Sequence, residues 1–370
     1  MKELGLYIHI PFCKQKCNYC DFYSLPCKTN EREQEYINAL ISHIEKEAQF
    51  YKEYEITTIY IGGGTPSYLH EKSIEKIAKT IKKCFAVSKN AEFTIEANPG
   101  TLTCDKLSTY LKSGINRLSL GLQSTSNEEL KMLGRIHTYE SFKESYTLAL
   151  ETGFKNISLD IMYGLPGQSK ETLLKTLNKV IALSPQHIST YCLKIEENTP
   201  FYKIKETLEI PSDETEYEMY LSICDTLKQN GYYQYEISNF AKEGFESRHN
   251  LKYWLSHEYV GFGPSAHSFV NGKRYFYEND LESYIKMPTC VEEQDDEIPE
   301  NSREEYVMLR MRLASGIDLK EFYEKFGLSF EEAYPNIKSY YGEYVVKENN
   351  RIHFTSKGFF VSNFILSRIL

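Results

Sequence analysis

Through the first 240 residues, short β-rich apolar runs alternate with longer stretches whose apolar residues recur every three or four positions. The short runs, at residues 4–10, 57–61, 92–96, 117–121, 156–162 and 187–193, read as strands. The longer stretches, near 32–51, 71–84, 105–112, 138–152 and 170–183, carry the period of amphipathic helices. Strand followed by helix, repeated, predicts βαβ units and a parallel sheet. Six such units predict an α/β fold, a partial (β/α)6 barrel rather than a closed eight-stranded one. Residues 211–229 add a further helix and 232–238 a further strand.

The pattern then changes. Acidic residues cluster over 292–300 and read as a linker. Residues 302–314 and 319–326 read as helices, 345–356 as a hairpin around Asn349-Asn350, and 358–370 as a closing helix. That succession predicts a small C-terminal α+β domain of winged-helix type. The expected organisation is a barrel core over 1–240, a connecting segment over 241–295 and the appended domain over 296–370.

The chain has 370 residues, enough for one large domain plus a smaller one. It is 41% hydrophobic and 26% charged, ordinary for a globular protein. A net charge of −9 gives no overall basic field, so no nucleic-acid partner is expected. No apolar run reaches the length of about 18 residues that a transmembrane helix needs. The opening Met-Lys-Glu-Leu-Gly leaves no room for a cleaved signal peptide, and nine cysteines, an odd number, predict a reducing cytoplasm. Cys84, Cys104, Cys192, Cys224 and Cys290 are scattered and read as small buried hydrophobes.

The other cysteines change the picture. Cys13, Cys17 and Cys20 follow the first strand as Cys-x3-Cys-x2-Cys. Three close thiols leave one over in any disulfide scheme. Structural zinc takes four protein ligands, so a zinc site would need His9 or Cys27 to complete it. Three thiolates suit a [4Fe–4S] cluster with one iron left open for a ligand.

In a β/α barrel, function sits on the loops that leave the C-terminal ends of the strands. Gly62-Gly63-Gly64-Thr65-Pro66 follows the second strand, and glycines there let the backbone approach a ligand, or simply make a tight turn. Glu96 ends the third strand and can accept from a ligand ammonium or ribose hydroxyl; a helix cap or surface carboxylate is the plainer alternative. Gln123 ends the fourth and offers both a donor and acceptor. Arg135 offers a fork for a carboxylate. Asp160 closes the apolar fifth strand, where an unpaired carboxylate is costly unless a structural hydrogen bond holds it.

Tyr7-Ile8-His9-Ile10-Pro11-Phe12-Cys13, Gly62-Gly63-Gly64-Thr65-Pro66 and Asp160-Ile161-Met162-Tyr163-Gly164-Leu165-Pro166 resemble the HemN-type radical SAM proteins over nearly the whole chain. That group includes oxygen-independent coproporphyrinogen III oxidases and heme chaperones. The resemblance implies a [4Fe–4S] cluster on Cys13, Cys17 and Cys20, whose open iron chelates S-adenosylmethionine and whose electron cleaves it to a 5′-deoxyadenosyl radical. It implies that Tyr7, Gly63 and Glu96 serve that S-adenosylmethionine, and that Gly64, Thr65, Gln123, Arg135 and Asp160 face a second one.

Three features are similar to the heme-chaperone subgroup. Phe22 stands where the oxidase has a further cysteine, only twelve residues precede the cluster motif, and Arg248-His249-Asn250-Leu251-Lys252-Tyr253-Trp254 carries the subgroup's H-N-x-x-Y-W motif. His249 is then the expected heme ligand, imidazole being a common iron ligand, with Tyr253 and Trp254 available to stack on the macrocycle. A satisfied structural histidine is the alternative. His267 is a second candidate, and His137 reads as ordering the second nucleotide site or a helix start. The expected partners are heme, an acceptor protein such as a respiratory cytochrome, and an electron donor. The rival readings are an oxygen-independent coproporphyrinogen III dehydrogenase acting by oxidative decarboxylation and a radical SAM methyltransferase.

Overall fold

The structure is a computed structural model that describes residues 1–26, 29–292 and 301–370. Cys27 and the acidic run beyond Glu292 lie outside the described residues. Six strands appear where the pattern places them: β1 (Lys2–Ile10), β2 (Tyr54–Gly63), β3 (Ala86–Ala97), β4 (Arg117–Gln123), β5 (Ile157–Tyr163) and β6 (His187–Cys192). They lie side by side in chain order and every pair is parallel. The helices α1 (Asn30–Glu47), α2 (Glu71–Cys84), α3 (Cys104–Lys112), α4 (Tyr139–Thr152) and α5 (Lys170–Ala182) alternate with them, and α6 (Asp213–Gln229) follows β6.

Successive side chains of a strand point to opposite faces. Here the two faces differ in chemistry. Leu4, Leu6, Ile8 and Ile10 of β1 alternate with Gly5, Tyr7 and His9; Leu118, Leu120 and Leu122 of β4 alternate with Arg117, Ser119, Gly121 and Gln123. The aliphatic set is buried in one large core with residues such as Tyr36, Ile37, Leu40 and Ile44 of α1 and Ile74, Ile77 and Ile81 of α2. The polar set faces the inside of the curved sheet. Register aligns it in layers: Tyr7 opposes Tyr60, Glu96 opposes Ser119, and Asp160 opposes both Gly121 and Ser189.

The stretch expected as a connecting segment, 241–295, is instead part of the sheet. Strands Tyr259–Phe262, His267–Val270, Lys273–Tyr277 and Cys290–Glu292 extend it beyond β1, the first parallel and the others antiparallel. On the far side, Asn239–Ala241 and Tyr233–Gln234 pair antiparallel beyond β6, completing twelve strands. The strand expected over 232–238 is thus reduced to its first residues. The short helix α7 (Arg248–Trp254) closes the barrel at the N-terminal ends of the strands. Glu92 of β3 accepts from the Arg248 and His249 backbone N–H groups, each at 3.0 Å, and Lys252 reaches Glu3 beside β1 at 3.4 Å.

The C-terminal residues form the expected helices and hairpin. Arg303–Arg310 and Leu319–Phe326 are helical, and Val345–Glu348 pairs with Arg351–Phe354 across Asn349 and Asn350. Both asparagines sit at positive φ, 47° and 60°, the twist that a two-residue hairpin turn requires. The single closing helix is in fact two, Ser356–Phe360 and Ser362–Ile369, with Arg312 hydrogen-bonded to Ser362 and Asn363 at the break. Of the scattered cysteines, Cys224 is buried, Cys84 and Cys192 are half-buried, and Cys104 and Cys290 are exposed rather than buried. Among the described residues, no helix is long and apolar enough to cross a membrane.

Candidate functional site

A cavity of about 390 Å³ opens where the strands end. That volume is within the roughly 300–1,000 Å³ of small-molecule sites. Its wall runs from the cysteine loop after β1 to Tyr191 on β6. Five strand spacings would separate those elements by about 24 Å in a flat sheet, so their meeting around one chamber requires the curl.

Cys13, Cys17 and Cys20 are half-buried free thiols on the rim. Burial pushes the Cys20 thiol up to about 11 and raises that of Cys13 as well. A hydrogen-bonded arc joins two of them. Thr65 Oγ1 lies 3.2 Å from Cys13 Sγ and accepts from Asn98 Nδ2 at 2.9 Å. Asn98 Oδ1 accepts from Arg135 at 2.6 Å, and Arg135 donates to Cys17 Sγ at 3.4 Å and to the Gly121 carbonyl at 2.8 Å. The Arg135 fork is therefore committed to the cysteine loop rather than held open for a ligand carboxylate; its Nε is buried without a partner. Donors aimed at sulfur favour thiolate and suit a bound iron–sulfur group. Zinc fits less well. His9 has both ring nitrogens engaged, by Tyr7 Oη at 3.1 Å and the Tyr23 carbonyl at 2.9 Å.

The glycine loop is a packing device as well as a wall. A Cβ on Gly64 would stand 2.7 Å from the Phe12 carbonyl oxygen, beside the cysteines. With that space empty, Gly64 N donates to Ile10 O at 2.8 Å and Thr65 N to Phe12 O at 2.7 Å. Gly63 has φ 107° and faces the His9 ring, where a Cβ would approach to 2.7 Å.

Deeper in the cavity stand two half-buried carboxylates and a buried cation, Arg117. Glu96 accepts from Tyr60 Oη at 2.7 Å and from Gly63 N at 3.1 Å. Burial raises its pKa to about 7, with Asp160 adding to the rise against those two hydrogen bonds and Arg117. Asp160 is also pushed up by burial, opposed by Ser189, Arg117 and Ser119, whose hydroxyl lies at 3.1 Å. Gln123 lines the same chamber at φ 69°, where the β4–β5 register shifts. A left-handed non-glycine residue beside a bulge is the kind of strain that surrounding structure must hold in place. Gly63, Gly64, Thr65, Glu96, Gln123, Arg135 and Asp160 thus all line one chamber with the cysteines.

Tyr7 and His249 do not line it. Tyr7 packs against the Tyr60 ring at 6.2 Å and bonds His9. His249 is fully enclosed. Its Nδ1 lies 2.8 Å from Thr58 Oγ1 and its Nε2 lies 2.9 Å from Tyr253 Oη. Burial, with Lys252 and Arg117 nearby, lowers its pKa to about 3, so the ring is neutral. In this conformation His249 is a satisfied interior histidine, with a hydroxyl at each ring nitrogen. Tyr253 makes T-shaped contacts with His249 and Tyr259, and Trp254 bonds the buried Glu236; both are half-buried. His137 is buried and bonds the Leu122 carbonyl at 3.2 Å, just before Gln123. His267 is exposed and stacks on Phe276 at 5.3 Å and 22°.

Sequence reasoning missed Asn98, Tyr60 and Arg117. Asn98 stood in the Glu96-Ala97-Asn98-Pro99 segment, two residues beyond Glu96 and on the same face; that period was the available signal. Arg117 is 2% exposed and lines the cavity although it begins its strand, because its long side chain reaches up into the barrel.

Two outcomes follow. Gly64→Ala forces the Phe12 carbonyl to move and should lower iron and acid-labile sulfide per chain after reconstitution; parental content would show that the loop yields freely. Glu96 carries a folded pKa above its unfolded value, so its ionised form costs stability that appears as pH rises through about 4.5 to 7. Glu96→Gln should therefore gain melting stability over the parent at pH 8 and lose that advantage by pH 5, a swing on the order of 3 kcal/mol. A pH-independent difference would contradict the raised pKa.

The chain matches the family model of the Radical SAM superfamily over residues 7–180 and that of the HemN C-terminal domain over 299–361. It is 36% identical over 377 residues to the heme chaperone HemW of Bacillus subtilis, covering 98% of both chains. It is 40% identical to that of Escherichia coli, covering 73% of this chain and 71% of the relative. The Escherichia coli coproporphyrinogen III oxidase HemN superposes with a TM-score of 0.83 at 22% identity, covering 99% of this chain and 89% of that one, which shows a shared fold. The chain belongs to the HemW family of radical SAM proteins.

Proposed function

We propose that the protein is a heme chaperone: it binds heme and passes it to an acceptor protein, on a scaffold that carries a [4Fe–4S] cluster and S-adenosylmethionine. The observation that carries this reading is the near full-length likeness to proteins named heme chaperones. The site supports the cofactor half. Cys13, Cys17 and Cys20 would hold the cluster, with Thr65 and Arg135 bonded to its ligands. When bound, that cluster supplies the electron that cleaves the sulfonium of S-adenosylmethionine. Glu96 would accept from the ammonium or ribose of that ligand, Gly63 and Gly64 would let it lie close to the backbone, and Gln123 and Asp160 would meet its far end or a second copy. Arg117 holds a positive charge beneath the two carboxylates and favours their ionised forms.

With His249 enclosed in this conformation, the heme ligand in this reading is sought outside the barrel interior. His267, the second candidate ligand, is exposed and stacked on the Phe276 ring. A respiratory cytochrome is a fitting acceptor, and reduction of the cluster calls for an electron donor.

Anaerobic heme titration of the cluster-loaded protein, followed by the Soret band, should saturate near one heme per chain and weaken in His267→Ala. No saturable binding, together with decarboxylation of coproporphyrinogen III, would replace the chaperone reading with the oxidase one. The Cys13→Ala/Cys17→Ala/Cys20→Ala variant should lose the iron and visible absorbance of a [4Fe–4S] cluster; full reconstitution in that variant would overturn the ligand assignment.

A further inference from the structure

At the closed end of the barrel, Tyr7, Tyr60 and His249 form a cluster of three nearly parallel rings. The Tyr60 and His249 centroids are 5.3 Å apart at 26°, Tyr7 and Tyr60 6.2 Å at 27°, and Tyr7 and His249 6.5 Å at 27°. These rings come from β1, β2 and α7, so the cluster ties the floor helix to two strands.

His249 is the fixed point of this cluster. Thr58 holds one ring nitrogen and Tyr253 the other, while Glu92 holds its backbone N–H at 3.0 Å. The neutral ring has one donor and one acceptor, which the two hydroxyls match on opposite edges. No hydrocarbon ring could fill the same slot without leaving both hydroxyls unpartnered.

Two paths leave the cluster. Tyr60 Oη donates to Glu96 Oε1 at 2.7 Å, with Gly63 N on the other carboxylate oxygen. Tyr7 Oη bonds His9, whose other nitrogen meets the Tyr23 carbonyl, three residues after Cys20. The first path is the more constrained. Added carbon at Gly62 would strike Tyr60 at 2.8 Å and Glu96 at 3.1 Å, so the ring and carboxylate have little room to shift together.

We propose that His249 is a positioning residue of the S-adenosylmethionine seat, fixing the Tyr60 ring so that its hydroxyl aims Glu96 into the cavity. The inference rests on the reading that Glu96 binds that cofactor. It gives the H-N-x-x-Y-W segment a role in cofactor binding. Its histidine braces Tyr60, its asparagine, Asn250, lines the cavity floor, and its tyrosine holds the histidine.

The test uses the full chain with its cluster, kept anaerobic, and measures S-adenosylmethionine by equilibrium dialysis and heme by the Soret band. His249→Phe and Tyr60→Phe should each weaken S-adenosylmethionine by about tenfold, the scale of lost outer-shell support. Because both act along one path, the double variant should be little weaker than either single one. His249→Gln, which keeps a donor and an acceptor, should recover part of the affinity. The heme spectrum and affinity should stay parental throughout. Should His249→Phe fold poorly, Thr58→Val removes one of the hydroxyl partners and should weaken the cofactor in the same direction. Parental S-adenosylmethionine affinity in the variants, multiplying losses in the double variant, or loss of the heme spectrum would each overturn the proposal. If the parent itself binds no S-adenosylmethionine, the cofactor reading fails and takes this inference with it; binding by the parent with unaffected variants removes this inference alone.

Discussion

The structure depends on one constraint: six parallel strands that turn their aliphatic side chains outward to helices and their polar side chains inward to each other. A barrel interior lined by Leu, Ile and Val would pack shut, as the cores of β/α barrels commonly do. Here the inward set includes Tyr60, Glu96, Arg117, Ser119, Asp160 and Ser189. Polar groups withdrawn from water must find partners. Each of the two carboxylates has a hydroxyl donor and feels the charge of Arg117. The chamber stays open because its walls are hydrogen-bonded rather than close-packed, and the same arrangement makes those walls suited to a polar, charged cofactor.

That division was legible in the sequence where the alternation is strict. Arg117-Leu118-Ser119-Leu120-Gly121-Leu122-Gln123 states its two faces outright, and the structure gives the strand with those bounds. The cysteine spacing and the glycine loop were legible because each demands unusual residues at fixed intervals. Other features were hidden because their partners are distant in sequence. The arc from Cys13 through Thr65, Asn98 and Arg135 to Cys17 joins four separate loops, and no local pattern marks Asn98 as its centre. The enclosure of His249 was hidden for the same reason: the residues around it include Thr58 and Tyr60, nearly 200 positions earlier. The strands between 259 and 277 are four or five residues long, too short for a convincing period. Even so, the Asn271-Gly272 pair, with φ 52° and 76°, is a strong hairpin signal that could have revealed two of them.

The floor and the mouth of the barrel are consequently not independent. His249 is linked through Tyr60 to Glu96 and through Tyr7 and His9 to the Tyr23 carbonyl, three residues after Cys20. A cofactor seated between the cysteines and Glu96 would touch the ends of both paths. Such a seat needs both ends held in fixed relation, since a polar contact is lost with a displacement of well under 1 Å beyond hydrogen-bonding range. Separate loops could not hold that relation, because loops are the mobile part of a fold. A brace anchored in the closed end of the barrel can, since its atoms belong to strands and to a helix fastened to them by Glu92 and Glu3. His249 thus stands where the two paths meet, held by residues of strand and helix rather than of a loop.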